Sequence, residues 1–262
     1  MVLSPPFFFK KIKMAINVNT VYTTVLNILN KEQRGYLTPD EFNKIATQVQ
    51  LEIFEKFFED YNQYIRMPKT DVEFASRMDH IMEEFQVFEK TEFADNTTPP
   101  TSNVYDQPTD LHRFGSASWN KGTNSPPIEI LSNRDYNKVK LSPLTQPTNN
   151  FPVAKYQQDK LTVFPNPTIF VNTDVTFNYI RKPLDVVWAY SVGSLGQYVY
   201  EPTNTGAGVV PTTGSVNFEI SESQQTEVIL EILKYSGIVI RDPQIIQAAS
   251  QELAQEEVNS KR

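Results

Sequence analysis

The apolar residues of this chain change their spacing twice, and that change limits the possible folds more than any other feature. From Val21 to Phe88 they recur at three- and four-residue intervals; from Ile128 to Ile220 they fall in short runs; after Ser221 the longer interval returns. Intervals of three and four mark one face of a helix, and alternation marks a strand. The expected fold is therefore α+β: an N-terminal antiparallel helical bundle, a central antiparallel β sandwich or barrel, and C-terminal helices. The segments read as an N-terminal extension (1–16), a helical region (17–93), an irregular linker or arm (94–127), a β domain (128–220) and C-terminal helices (221–262).

Val21, Val25 and Ile28 share one face of a first helix, with Leu29 beside them. Thr38-Pro39-Asp40-Glu41 reads as a capping box that opens a second helix, with proline at the first helical position. Phe42, Ile45, Ala46, Val49, Ile53 and Phe57 make its apolar stripe. A third helix is expected after Pro68, carrying Phe74, Met78, Ile81, Phe85 and Phe88.

The next stretch, DNTTPPTSNVYDQPTD, lacks periodicity, and Trp119 is placed to pin it to a core. Expected strands are IEIL (128–131), YNKVKL (136–141), KLTVF (160–164), TIFV (168–171), DVTFNYI (174–180), VVWAY (186–190), YVY (198–200) and VNFEI (216–220). KLTVF and TIFV are joined by Pro165-Asn166-Pro167, which suits a turn. Ile229, Leu230 and Leu233 line a later helix that Gly237 is expected to stop, and Asp242-Pro243 reads as the start of the last one.

Between the first two helices, NKEQRGYLTPDE (30–41) has the glycine and terminal glutamate of an EF-hand loop. The ligand positions one, three, five and twelve are Asn30, Glu32, Arg34 and Glu41, so a guanidinium stands where an oxygen is needed. A helix corner explains the same residues better: Gly35 ends one helix, Leu37 packs on Phe42, and Glu41 caps the next.

Net charge is −7, which argues against a chain that coats nucleic acid through clustered cations. There is no cysteine, so thiolate metal sites, disulfides and cysteine nucleophiles are excluded together, which fits a reducing compartment. No apolar run approaches the roughly 20 residues that a helix needs to cross a bilayer. In MVLSPPFFFKKIK the basic residues follow the apolar ones, the reverse of a secretory signal. Met14 is expected to be the natural start, with a partner-binding arm as the alternative for the preceding residues.

Only two histidines occur, His80 and His112. His112 lies two residues from Asp110, but no glycine-rich elbow of the G-x-S-x-G kind marks a nucleophile for such a pair. Glu52, Glu55, Glu59, Glu83 and Glu84 read as solvated helix faces. GSLG (193–196) and GAG (206–208) lack the Gly-Lys-Ser/Thr of a phosphate loop and read as loop tips. Tyr179, Arg181 and Lys182 read as an edge strand whose cations discourage aggregation. No catalytic, cofactor-binding or metal-binding residue is expected, nor any cofactor.

Three stretches resemble virion structural proteins of tailed bacteriophages, especially crAss-like phages and related phages of marine bacteria: NTVYTTVLNILNKEQRGYLTPDEFNKIATQVQLEIFEKFFEDYNQ (19–63), NYIRKPLDVVW (178–188) and LKYSGIVIRDPQIIQAASQ (233–251). The resemblance implies a non-enzymatic subunit of a homo-oligomeric ring in the neck of the virion, joining portal to tail. Its partners would be portal and tail or neck proteins; DNA would pass through the channel without sequence-specific binding, and no membrane would be involved. The chain would be made in the host cytoplasm and reside in the virion. Two other readings stay open: a β-domain module in a tail appendage that binds a receptor or carbohydrate through Trp119, Trp188, Tyr198 and Tyr200, and an enzyme centred on His112 or a pair of acids.

Overall fold

The computed structural model describes residues 15–31, 36–66, 81–94, 103–120, 125–165, 174–203, 209–240 and 243–260. The protein is mixed α+β, with a seven-stranded curled sheet and C-terminal helices. It divides into two compact units, one made of residues 1–87 with 183–262 and the other of residues 88–182.

The first unit is helical. Helix α1 (Val18–Lys31) turns Val18, Val21, Tyr22, Val25 and Leu29 inward, while Ile28 is partly exposed. Helix α2 (Pro39–Arg66) opens with the expected box: the Thr38 N–H donates to the Glu41 carboxylate (3.0 Å), and the Glu41 N–H reaches back to the Thr38 hydroxyl (3.4 Å). The Thr38 hydroxyl also donates to that carboxylate (2.7 Å), and together with the Thr38 N–H it holds the Glu41 carboxyl below its ordinary range. Leu37 and Phe42 are both fully buried beside the cap. Residues 81–86 are helical (α3), and Phe85 packs edge-on to Phe57.

Helix α5 (Gln225–Ile240) packs against both α1 and α2, and α6 (Pro243–Ser260) packs against α5. The buried face of α5 runs through Val228, Ile232, Leu233 and Ser236, rotated from the expected Ile229–Leu230 face. Gly237 does not stop α5. A Cβ there would sit 3.0 Å from an Ile246 side-chain carbon, so glycine lets α5 and α6 approach closely. Strands β8 (Tyr190–Val192) and β9 (Tyr198–Tyr200) form a separate hairpin in this unit.

The second unit holds one open sheet in the order β1-β7-β3-β4-β5-β6-β2. The strands are β1 (Glu89–Phe93), β2 (Val104–Asp106), β3 (Leu111–Trp119), β4 (Pro127–Ile130), β5 (Val153–Gln157), β6 (Lys160–Phe164) and β7 (Val175–Arg181). The antiparallel sandwich or barrel is thus, among the described residues, a single curled sheet, and its β4–β5 pair is parallel. Parallel neighbours need a crossover, and α4 (Asn133–Leu141) supplies it. That helix replaces the expected strand YNKVKL. Ser132 caps it by accepting from the Asp135 N–H, Asp135 lies in its first turn, and Lys138 and Lys140 lie in its last.

The stretch 94–127, expected to be irregular, contains β2 and β3, and β1 lies in what reads as helix. Two register shifts between β3 and β7 explain why β3 lacks clean alternation: one falls at His112 and one at Gly115. At Gly115 a Cβ would meet the Asn178 carbonyl oxygen at 2.8 Å, so only glycine fits. Strand β7 alternates as expected, with Val175, Phe177 and Tyr179 buried, but it is interior rather than an edge, because β1 pairs along its other side. Val216 and Phe218 of VNFEI make only isolated bridges, and Val187 of VVWAY does the same.

Candidate interaction site

Helix α2 presents Asn43, Thr47 and Gln50 on one face, spaced four and three residues apart, and all three bond to the backbone of the extended stretch Leu184–Trp188. Asn43 accepts from the Trp188 N–H (2.7 Å) and donates to the Trp188 carbonyl (3.3 Å). Thr47 accepts from the Val186 N–H (3.1 Å), and its hydroxyl also lies 3.4 Å from the Val186 carbonyl. Gln50, 1% exposed, donates to the Leu184 carbonyl (2.7 Å) and accepts from the Glu219 N–H (2.8 Å). The helix spacing of these three matches every second residue of an extended chain, so side chains on a helix replace a neighbouring strand. On its other edge the stretch pairs through Val187 with Val216.

This ladder fixes Trp188 at the root of the β8–β9 hairpin. Trp188 is 4% exposed; its indole N–H donates to the Asn19 side chain (3.0 Å). It packs on Tyr22 (4.3 Å between centroids) and stacks with Tyr190 and Tyr200. From this anchored base the hairpin runs to GSLG, which forms its tip. Gly196 donates to the Gly193 carbonyl (2.9 Å) and sits at φ +81°, a left-handed position that suits glycine. Leu195 at the tip is 90% exposed, and Val192, Tyr198 and Val199 are exposed beside it. A rigid root therefore carries an apolar end into solvent.

A second apolar surface belongs to the sheet unit. Ile128, Val139, Pro147, Phe151 and Val153, with Glu129, Thr145, Gln146 and Thr148 among them, line a groove of about 600 Å³ beside the β4–α4–β5 crossover. Phe151 is 77% exposed there, and Leu141 at the end of α4 and Leu144 just beyond it are also exposed.

The same unit holds a polar cluster around Tyr179. The Tyr179 hydroxyl lies 2.7 Å from Asp110 and 2.9 Å from Glu92, and the Lys90 ammonium lies 3.0 Å from Asp110 and 2.9 Å from Glu92. Bonds to Glu92 and Asp110 raise the Lys90 pKa, and burial together with the same two carboxylates raises that of Tyr179. Glu92 is held below its ordinary range by Lys90 and Tyr179. Burial opposes that shift at Asp110, but bonds from Tyr179 and Lys90 outweigh it. The four groups answer one another's charge and hydrogen bonds across β1, β7 and the start of β3, and they act as a clasp on the sheet edge.

Asp110 thus engages Tyr179 and Lys90, and His112 sits at a register shift on β3. Trp119 and Trp188 are both buried, at 2% and 4%, so neither offers an exposed stacking face; Tyr198 is exposed and Tyr200 half-buried. Arg181 lies over the Phe88 ring, 5.6 Å from its centroid. Residues 1–14, Glu32, Arg34, Gly35, Phe74, Met78, His80, Asn166-Pro167, TIFV, GAG and Asp242 lie outside the described residues. Among the described residues no group of three or more His, Asp or Glu side chains is placed to hold a metal ion, and no helix is long and apolar enough to cross a membrane. The spacing of Asn43, Thr47 and Gln50 was visible in the sequence, but nothing there marked the extended partner that they hold. Compared with known proteins, the chain matches no family model and no curated protein.

Proposed function

We propose that this chain is a non-enzymatic structural subunit of a tailed-phage virion, forming an oligomeric ring in the neck that joins portal to tail. One observation carries the reading: each compact unit exposes its own apolar surface, the hairpin tip around Leu195 on one and the groove around Phe151 on the other. Contiguous apolar surface on a folded protein marks a place where another protein binds, and two such surfaces suit a subunit with a neighbour on either side. The resemblance of residues 19–63, 178–188 and 233–251 to phage virion proteins supplies the setting.

In this reading the N-terminal helices complete an antiparallel bundle that builds the ring body, and the sheet unit closes toward a barrel or sandwich and reaches neighbouring components. Portal and tail or neck proteins lie above and below, and DNA passes through the channel without sequence-specific contacts. The experiment is electron microscopy of purified particles with a gold label on a C-terminal tag of this chain. Label at the neck supports the proposal; label on a tail appendage, or particles without label, overturns it.

A further inference from the structure

We infer that the face formed by α4 and the outer side of β5 and β6 binds the phosphate backbone of duplex DNA through Arg134, Lys138, Lys140 and Lys155. The inference rests on the neck reading for its partner, and it names the surface of this chain that meets the DNA.

Placement is the first support. Side chains alternate along β5 and β6, and Ala154, Leu161 and Val163 enter the core, so Lys155, Thr162 and Phe164 lie on the opposite side of the sheet. Helix α4 meets the sheet there. The Lys155 ammonium lies 5.7 Å from the centroid of the Tyr136 ring, and the Lys140 ammonium lies 5.4 Å from that of Phe164. The rings steady both ammonium groups and leave their N–H donors open. Arg134 and Lys138, one turn apart on α4, are exposed.

Charge is the second. From Pro127 to Lys160 five cations outnumber three acids, Glu129, Asp135 and Asp159, in a protein whose net charge is −7. Lys160 is answered by Asp106 at 2.8 Å, and Lys138 lies 3.9 Å from Asp135, where each is more than half exposed. Among the described residues no carboxylate pairs with Arg134, Lys140 or Lys155. Uncompensated cations on one face of an acidic chain draw a polyanion to that face, while the rest of the chain repels it.

The third support is the form of the array. Arg134 and Lys140 are six residues apart, about 9 Å along the helix axis, and Lys155 carries the array onto the sheet. The four cations spread over a surface rather than converge on one point, as the ligands of a small anion would. Duplex DNA presents a charge about every 1.7 Å of its axis, so a row of separate cations meets several phosphates at once. Contacts to phosphate carry no base information, which suits DNA that slides past a ring.

The test titrates the full-length chain into short fluorescein-labelled duplexes of two unrelated sequences and reads their anisotropy. Four phosphate contacts predict equal affinity for both sequences and a loss of about a hundredfold between about 50 and about 200 mM salt. Lys140→Gln combined with Lys155→Gln should weaken binding and cut that loss to about tenfold, and Arg134→Gln combined with Lys138→Gln should do the same. Lys44→Gln, an exposed change on α2 in the other unit, should alter neither quantity. Circular dichroism checks that each variant keeps its fold. Absence of binding at about 50 mM salt with the chain at about 100 µM overturns the inference, as does binding that both double variants leave unchanged. Poly-glutamate that binds more tightly than the duplex also overturns it, and marks an acidic protein as the partner. A chain that assembles into rings yet ignores the duplex overturns this surface and leaves the ring reading standing. Duplex binding with the expected salt dependence, by a chain whose gold label lies away from the neck, overturns the neck reading and leaves the surface.

Discussion

Tyr105 is fully buried in the core of the sheet unit, and its hydroxyl has no hydrogen-bond partner among the described residues. Burial, with Asp174 nearby, pushes the phenol up to about 12. A buried hydroxyl without a partner carries its full desolvation cost, so Tyr105→Phe should be neutral or stabilising by about 1 kcal/mol in urea unfolding. A loss above that size would mean that the hydroxyl has a partner. The Lys90–Glu92–Asp110–Tyr179 clasp gives a pH signature. Glu92 and Asp110 have lowered folded pKa values, so their contribution is present at neutral pH and is lost as pH falls through those values, below about 4. Tyr179 and Lys90 have raised values, so theirs is complete below about 10 and fades as pH rises further. Tyr179→Phe should release both carboxylates toward their ordinary range and cost about 0.5 to 1 kcal/mol at pH 7, discounted because the acids are over a third exposed. Carboxyl titration followed by NMR checks both statements; unchanged Asp110 and Glu92 midpoints would refute the clasp. None of this was legible in the sequence, because register across three strands brings Lys90, Asp110 and Tyr179 together.

At the scale of elements, the ladder on α2 is the feature most open to test. Gln50→Ala leaves the Leu184 carbonyl and the Glu219 N–H without their partner inside the first unit, at an expected cost of about 2 to 3 kcal/mol in urea unfolding. A cost near zero would show that water replaces the side chain readily. The helices were largely legible, since Thr38-Pro39-Asp40-Glu41 and the α2 stripe state their roles locally. Strands were less so. KLTVF, YVY and the alternating run from Val175 announced themselves, whereas β3 hid behind two register shifts, and YNKVKL read as a strand although Ser132 and Asp135 cap it as a helix. Gly237 looked like a stop, but it serves close packing that only the tertiary structure reveals.

For the whole molecule, the sequence shows blocks of helix, strand and helix but not that residues 183–220 return to the helical unit. That return depends on side chains of α2 bonding to backbone as much as 145 residues away, a distance over which local spacing carries no information. The candidate surfaces were likewise only partly readable: GSLG was visible as a loop tip, and the groove around Phe151 arises from a crossover that the sequence did not disclose. Both belong to an account in which this protein acts through contact with its copies. The most direct test is native mass spectrometry of the purified full-length chain over rising concentration. The account predicts one dominant closed species at a whole multiple of 30.0 kDa, lost in Leu195→Asp. A single 30.0 kDa species at every concentration, unchanged by that substitution, would contradict it.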